Sequence, residues 1–340
     1  MKLVTCTGYF STGSSAVADL LDEYNDCSSP VSDYEIRFIY DPDGVADLEY
    51  HLVENHNRHN SGHALKRYKR LVDFYCGSKL APKNEAYFHG KWKEYSYQYI
   101  NELTEFSYNG SWLYDYLDRG IGFHYFNSIL RKVFKTDMLK NSITYCSYPT
   151  KEVFTKLTKD YIDKLMCVAN EKGTGTFVVD QLLPPSDIKR YVPYFDSIKV
   201  IVVDRDPRDI FFLEKYIRKE QVLPTDVKDF CKWFEYTRKH RSIENVNTDY
   251  SILIRFEDLI YQYEATVRYI ENFVGLNTSD HTLCKTRFVP EKSINNTQIW
   301  RRMDLTEQQE LEVRILSEEL SDYLYPFPEM DIKKGKQRIE

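Results

Sequence analysis

Four short runs dense in β-branched residues frame this chain: Lys2 to Thr7 (KLVTCT), Thr176 to Asp180 (TFVVD), Ile198 to Asp204 (IKVIVVD) and Ser251 to Phe256 (SILIRF). A strand with one wet face alternates apolar and polar residues, and the valine-rich runs do not. They read as strands covered on both faces, the habit of parallel sheets. Helical spacing lies between and after them. Val17, Leu20, Leu21 and Tyr24 begin one stripe, and Val227, Phe230, Cys231 and Phe234 make another within 226–246. Leu259, Tyr263, Val267, Ile270 and Val274 continue the pattern after Phe256. Strand then helix, repeated, predicts an α/β fold with a mainly parallel sheet and flanking helices.

About 170 residues separate the first strand from the Thr176 run, far more than one crossover needs. The excess is expected to be a mainly helical insertion, about 45–170, carried by a single domain of residues 1–330. Residues 331–340 read as a solvated tail. Of the 40 residues from Tyr87 to Phe126, 14 are aromatic. Aromatic faces stack on sugars and also wall apolar pockets, so this stretch is expected to line a ligand site. His124, in GFHYF, goes with it.

Lys plus Arg total 46 and Asp plus Glu 52, a net charge of −6, so the chain as a whole attracts neither nucleic acid nor an anionic membrane. Any anion site must be local. The first residues lack a basic stretch followed by an apolar core, and no apolar run approaches the roughly 20 residues of a spanning helix. A soluble, cytoplasmic protein is expected. Seven scattered cysteines without a C-x-x-C pair fit reduced thiols. His56, His59 and His63, with His51 nearby, would share a face suited to metal if the segment were helical. Ser61 and Gly62 weigh against that helix, and a solvated polar face with no metal is expected.

Gly8 to Leu21 reads GYFSTGSSAVADLL, directly after the first strand. A strand, a Gly-bearing turn with small hydroxyl residues and a helix start present backbone N–H groups and a positive helix end to phosphate. The segment matches the spacing G-x-x-x-x-G-K-[ST] except that Ser14 stands where the lysine belongs. ATP and GTP hydrolases need that ammonium, so a nucleoside or small-molecule kinase becomes the lesser alternative. A tight turn with serine helix caps is the plain reading of the loop alone. A second anchor is VVDRDPRDIFFLEKY, Val202 to Tyr216, where Arg205 and Arg208 flank Pro207 at a strand's carboxyl end. A guanidinium there reaches a phosphate bidentately, although a salt-bridged turn would read the same. Two such sites suit a ligand with two separated phosphate-like groups.

With these motifs in place, the sequence resembles the bacterial, P-loop-like sulfotransferases, which use 3′-phosphoadenosine 5′-phosphosulfate (PAPS). FSTGSS (Phe10 to Ser15) resembles their 5′-phosphosulfate loop, and IKVIVVDRDPRD (Ile198 to Asp209) their 3′-phosphate strand and turn. LIRFEDLIYQYEATVRYIENFVGL (Leu253 to Leu276) resembles the strand and long helix that follow, and KSINNTQIWRR (Lys292 to Arg302) sits where they keep a cofactor clamp. Residues 45–170 match nothing in the family pattern. The resemblance implies PAPS as cosubstrate, no metal, and an acceptor that is a small-molecule, lipid or glycan alcohol. It implies that Ser11, Thr12, Gly13, Ser14 and Ser15 hold the 5′ end and Arg205 the 3′-phosphate. Trp300, Arg301 and Arg302 would close over the nucleotide.

Two departures stand out. The family's loop Lys or Arg is Ser11 here, with Arg37, Lys66, Arg67, Arg301 and Arg302 as candidate replacements. The Ser eight positions after the turn Arg is Leu213, a contact left to Ser293 or Asn295. Sulfuryl transfer to an alcohol also needs a base. Glu35, in YEIRFI, occupies the place of the base in heparan-type members, and Asp180, in VVDQLLPP, is the alternative from the strand end. Leu182 fills the slot where cytosolic members keep a catalytic His. His124 is the third candidate. Because two family-typical residues are missing, a non-catalytic nucleotide-binding or glycan-binding module is the alternative from outside the enzymes.

Overall fold

The computed structural model describes residues 1–30, 35–77, 83–220, 222–239, 247–330 and 332. The expected tail thus lies outside the described residues, Ile332 excepted. Seven strands are present among them: β1 (Lys2–Gly8), β2 (Cys27–Ser28), β3 (Phe106–Asn109), β4 (Ile143–Cys146), β5 (Thr176–Asp180), β6 (Ile198–Asp204) and β7 (Ser251–Arg255). Contacts divide the chain into two compact units.

The first unit comprises Met1–Ile36, Lys172–Val192 and Ser197–Glu340. Its sheet is parallel throughout, in the order β2-β5-β1-β6-β7. All four predicted strands are there; two-residue β2 is too short to leave a pattern. In the register, Cys6 lies opposite Asp180 and Gly8 opposite Val203, so the carboxyl ends of β5, β1 and β6 come level. Val4, Cys6, Val178, Ile201 and Val203 are buried with Val17, Leu20 and Leu21 of the Ser14–Leu21 helix and Val267, Ile270 and Val274 of the Tyr263–Val274 helix. Each such side chain contributes about 1.5–3 kcal/mol of burial. That packing fixes the helix that follows β1, and with it the loop between them.

Just beyond that helix, Glu23 is fully buried. It accepts from the backbone N–H groups of Lys285, Thr286, Arg287 and Phe288 at 3.1, 2.9, 2.9 and 3.0 Å. His281 Nε2 donates to it at 2.6 Å. Five donors compensate the desolvation of one carboxylate.

The second unit comprises Arg37–Glu171 and Pro193–Asp196. Its longer helices are Asn60–Tyr75, Trp92–Leu103, Gly120–Phe134 and Lys151–Ala169, and β3 and β4 form an antiparallel ladder. Phe38, Tyr68, Phe88, Trp92, Tyr99 and Tyr161 fill its core. The buried phenols are satisfied: Tyr68 donates to Tyr161 at 3.0 Å, Ser96 and Tyr161 share a bond of 2.7 Å, and Tyr99 and Thr158 another of 2.7 Å. The aromatic stretch therefore divides. Phe88, Trp92 and Tyr99 pack a core and cannot face a ligand, whereas Phe106, Tyr108, Tyr125 and Phe126 are exposed. The histidines do not share a helix face either. The helix starts at Asn60, after His56 and His59, and His56 stacks on Tyr148 while His59 meets Trp112 edge-on.

Candidate anion-binding and transfer site

The loop after β1 is tightly wound. Phe10, Ser11 and Gly13 have φ of 107°, 53° and 88°, the left-handed region that side chains resist. A Cβ on Gly13 would stand 2.6 Å from the Phe256 ring, and one on Gly8 would fall 1.8 Å from Thr12 Oγ1. Gly13 caps the Ser14–Leu21 helix without a side-chain hydrogen bond, so the helix start presents backbone N–H groups. Thr12 and Ser14 are buried, Ser11 and Gly13 half-buried, and Ser15 exposed.

Ser11 is the node of the loop. Arg205 Nη1 donates to its carbonyl at 3.0 Å, and Arg218 Nη1 donates to its hydroxyl at 2.9 Å. The hydroxyl in turn donates to Glu214, which also pairs with Arg218 at 3.2 Å. Each of the five expected replacement cations has a partner of its own. Lys66 pairs with Asp115 at 2.8 Å, Arg67 with Asp43 at 2.7 Å and Arg37 with Asp41 at 3.6 Å, all within the second unit. Arg301 donates to Gln298 Oε1 at 2.9 Å, and buried Arg302 to the carbonyls of Thr297 and Ile294 at 2.9 and 3.0 Å. Arg218 belongs to no recognisable motif. It lies on a π-helical turn, Leu213–Arg218, that runs on from the Pro207–Phe212 helix and swings the side chain back to the loop. Leu213 itself is buried among Phe212 and Phe230.

Arg205 is buried, and burial lowers its pKa although Asp209 and Glu257 oppose the shift. Besides Ser11 it donates to the carbonyl of Asn296 and lies over the Phe256 ring at 4.9 Å. It therefore ties the loop to the 294–302 segment, and its buried Nε has no partner. Asp209 accepts from the N–H groups of Gln298 and Ile299 at 2.8 and 2.6 Å, seating the short Ile299–Arg302 helix. There Trp300 is flanked by Arg208 and Arg301, 4.9 and 4.8 Å from its ring. Arg208 is held by Asp206 at 2.7 Å. Ser293 and Asn295 stand half-buried on the same segment.

At the end of β5, Gln181 adopts φ 58° and donates to Ser14 Oγ at 3.0 Å, while its Oε1 accepts from Thr7 at 2.9 Å. Asp180 is beside it. Burial pushes its carboxyl up to about 7 against a hydrogen bond from Ser14, and the nearby Glu35 charge adds to the rise. Its Oδ1 is buried without a partner. Glu35 is exposed, brought close because Ile36 N–H donates to the Asp180 carbonyl at 3.2 Å. His124 belongs to the second unit, exposed and 5.1 Å edge-on from Tyr116. Among the described residues no cluster of ligating side chains could hold a metal, and no helix is long and apolar enough to cross a membrane. All seven cysteines are free thiols.

An α/β unit with an uncapped helix start, two arginines on its loop and a shifted carboxyl is the site's definition. No family model matches the chain, and no curated protein does. Among solved structures it is similar to the sulfotransferase domain of the olefin synthase of Synechococcus PCC 7002, at 15% identity over 96% of this chain and 95% of that one, with a TM-score of 0.42. A sulfotransferase of Mycobacterium avium matches at 13% identity over 98% and 78%, TM-score 0.39. A retinol dehydratase solved with androsterone and the inactive cofactor PAP matches at 13% identity over 97% and 83%, TM-score 0.35. Scores this low carry no weight; the chemistry of the chain rests on its own residues.

Proposed function

We propose that this chain moves the sulfuryl group of PAPS to an alcohol acceptor. The observation that carries the reading is the convergence of Arg205 and Arg218 on Ser11, at a helix start that has no side-chain cap. The residues fit a nucleotide with separated phosphates. Gly8 and Gly13 let the loop close against Thr12 and Phe256 where a Cβ would collide, the helix start has backbone N–H groups to offer the 5′ end, and the orphaned Arg205 Nε is a donor in reserve.

PAPS supplies an activated sulfuryl group; the chain does the rest. Thr12 to Ser15 orient the 5′ end by backbone N–H groups, and Arg218 balances the charge that develops on the leaving phosphate. Asp180, held near neutrality, accepts the proton of the acceptor hydroxyl as the new O–S bond forms and the bridging S–O bond breaks. Glu35 acts on that step through its charge. Trp300, with the Arg208 and Arg301 guanidinium groups over its ring, closes the nucleotide end of the site.

Isothermal titration with 3′-phosphoadenosine 5′-phosphate tests the site, with ATP as the competing ligand. Tight binding of the former is expected; tighter binding of ATP with magnesium would move the chain to the kinases. Transfer of labelled sulfate from PAPS to a panel of small-molecule, lipid and glycan alcohols then separates an enzyme from a binding module.

A further inference from the structure

The Gly120–Phe134 helix buries a single side chain, Asn127. Its amide donates to Tyr116 at 3.1 Å and Asp137 at 3.0 Å and accepts from Met138 N–H at 2.9 Å, which defines the helix's inner side. At about 100° per residue, Ile121, Tyr125, Ile129 and Val133 form a row turned away from it. They are 74%, 64%, 56% and 65% exposed. Leu113 and Leu117, 72% and 70% exposed on the preceding short helix, extend the same every-fourth spacing. A lone exposed apolar side chain needs no account, but a continuous row of them marks an interaction face.

Charge indicates what covers it. From Arg119 to Thr136 there is no Asp or Glu, and Arg119, Arg131, Lys132 and Lys135 give this stretch a positive charge on a chain whose net charge is −6. Arg131 pairs with Asp137 at 3.5 Å. Among the described residues Arg119, Lys132 and Lys135 have no carboxylate partner. A second copy laid antiparallel would set Arg119 against Lys132 and Lys135, and one laid parallel would set like on like. The flanking acids Asp115, Asp118 and Asp137 are already paired with Lys66, Arg70 and Arg131, so neither arrangement offers a free acid in reply. An anionic lipid surface does: the apolar row enters the acyl boundary while the ammonium groups reach headgroup phosphates. The helix has 15 residues, too few for the roughly 20 that a crossing requires, so it lies along the surface.

We propose that the Gly120–Phe134 helix docks this protein in the plane of an anionic lipid surface. The inference stands apart from the transfer reaction and from its cosubstrate.

Co-sedimentation of the full chain with vesicles of phosphatidylcholine, with and without phosphatidylglycerol, tests it. Partition onto the anionic vesicles is expected to exceed that onto neutral ones by about tenfold or more and to fall with salt. Ile129→Asp with Val133→Asp should abolish it, and Lys132→Gln and Lys135→Gln should each cost about fivefold. All four positions are exposed, so circular dichroism should show unchanged folding. Failure of the wild type to pellet with anionic vesicles overturns the proposal, as does equal pelleting of the variants or equal binding to neutral vesicles. A wild-type dimer in sedimentation equilibrium that Ile129→Asp makes monomeric would assign the face to a second copy and also overturn it.

Discussion

Arg218 donates to the hydroxyl of Ser11 across 2.9 Å, and that hydroxyl hands its own proton to Glu214. The loop thereby obtains from a distant helix the cation its sequence lacks. A charge-assisted hydrogen bond is worth about 1.5–3 kcal/mol. Arg218→Ala should therefore weaken binding of 3′-phosphoadenosine 5′-phosphate by about tenfold to a hundredfold in calorimetry. Arg218→Lys, which keeps the charge and loses the fork, should fall between. Wild-type affinity in the alanine variant would remove Arg218 from the site.

The role proposed for the Asp180 carboxyl predicts a pH dependence. With a pKa of about 7 it is half ionised at neutrality and fully so only well above it, so kcat/KM for sulfate transfer should rise through pH 7. Glu35→Gln removes a charge that raises this value and should move the inflection down. A profile unchanged by Glu35→Gln and lacking an inflection near 7 would place the base elsewhere.

The same group should oppose stability where it serves catalysis. A carboxyl whose folded pKa lies above its unfolded one favours the folded state in acid, and the favour disappears as pH rises from about 4 through about 7. Asp180→Asn should thus raise the melting temperature at pH 8, by a gain on the order of a few kcal/mol, and leave it little changed at pH 4. Transfer activity should be lost in the same variant. Differential scanning calorimetry at the two pH values reads the contrast.

A single substitution tests both duties proposed for Arg205. Arg205→Ala should weaken 3′-phosphoadenosine 5′-phosphate far more than the analogue without its 3′-phosphate. It should also lower the melting temperature, because the carbonyls of Ser11 and Asn296 lose their donor, at about 1–3 kcal/mol for each group left unsatisfied. Equal losses for the two ligands, measured by calorimetry, would leave Arg205 with only the structural duty.

Gly13→Ala should cost about 1–2 kcal/mol for the left-handed backbone and more for the collision with Phe256. Adding Phe256→Leu should recover only the second part. Chemical denaturation of the two variants separates them.

Much of the first unit was legible because its signals are local. Valine-rich strands carry their own burial pattern, and Gly13 marks the left-handed turn before the helix. Glu35, Asp180 and Arg205 were named from their positions at strand ends and in motifs. Arg218 was not, since its role depends on how a π-helical turn carries a side chain back to a loop far away in sequence. The aromatic stretch was legible only in part, for a related reason. Composition does not tell a ring packed in a core, such as Trp92, from one left outside, such as Tyr125. The every-fourth spacing from Leu113 to Val133 was present in the sequence, but periodicity reports a face and not what meets it.

Glu23 gives the first unit an unusual seam. Its carboxylate joins the end of the loop's helix to residues 281–288, from which the chain runs on to Trp300. No strand pairing positions that arm; the carboxylate does so, together with the stacking of His281 on Tyr24 and the bond from Leu283 N–H to the Glu23 carbonyl. The His281 contact of that carboxylate joins residues 258 apart in sequence. A chain severed between them would leave the carboxylate on one fragment and its ring of donors on the other, so reassembly would have to restore that ring as well as the core they share.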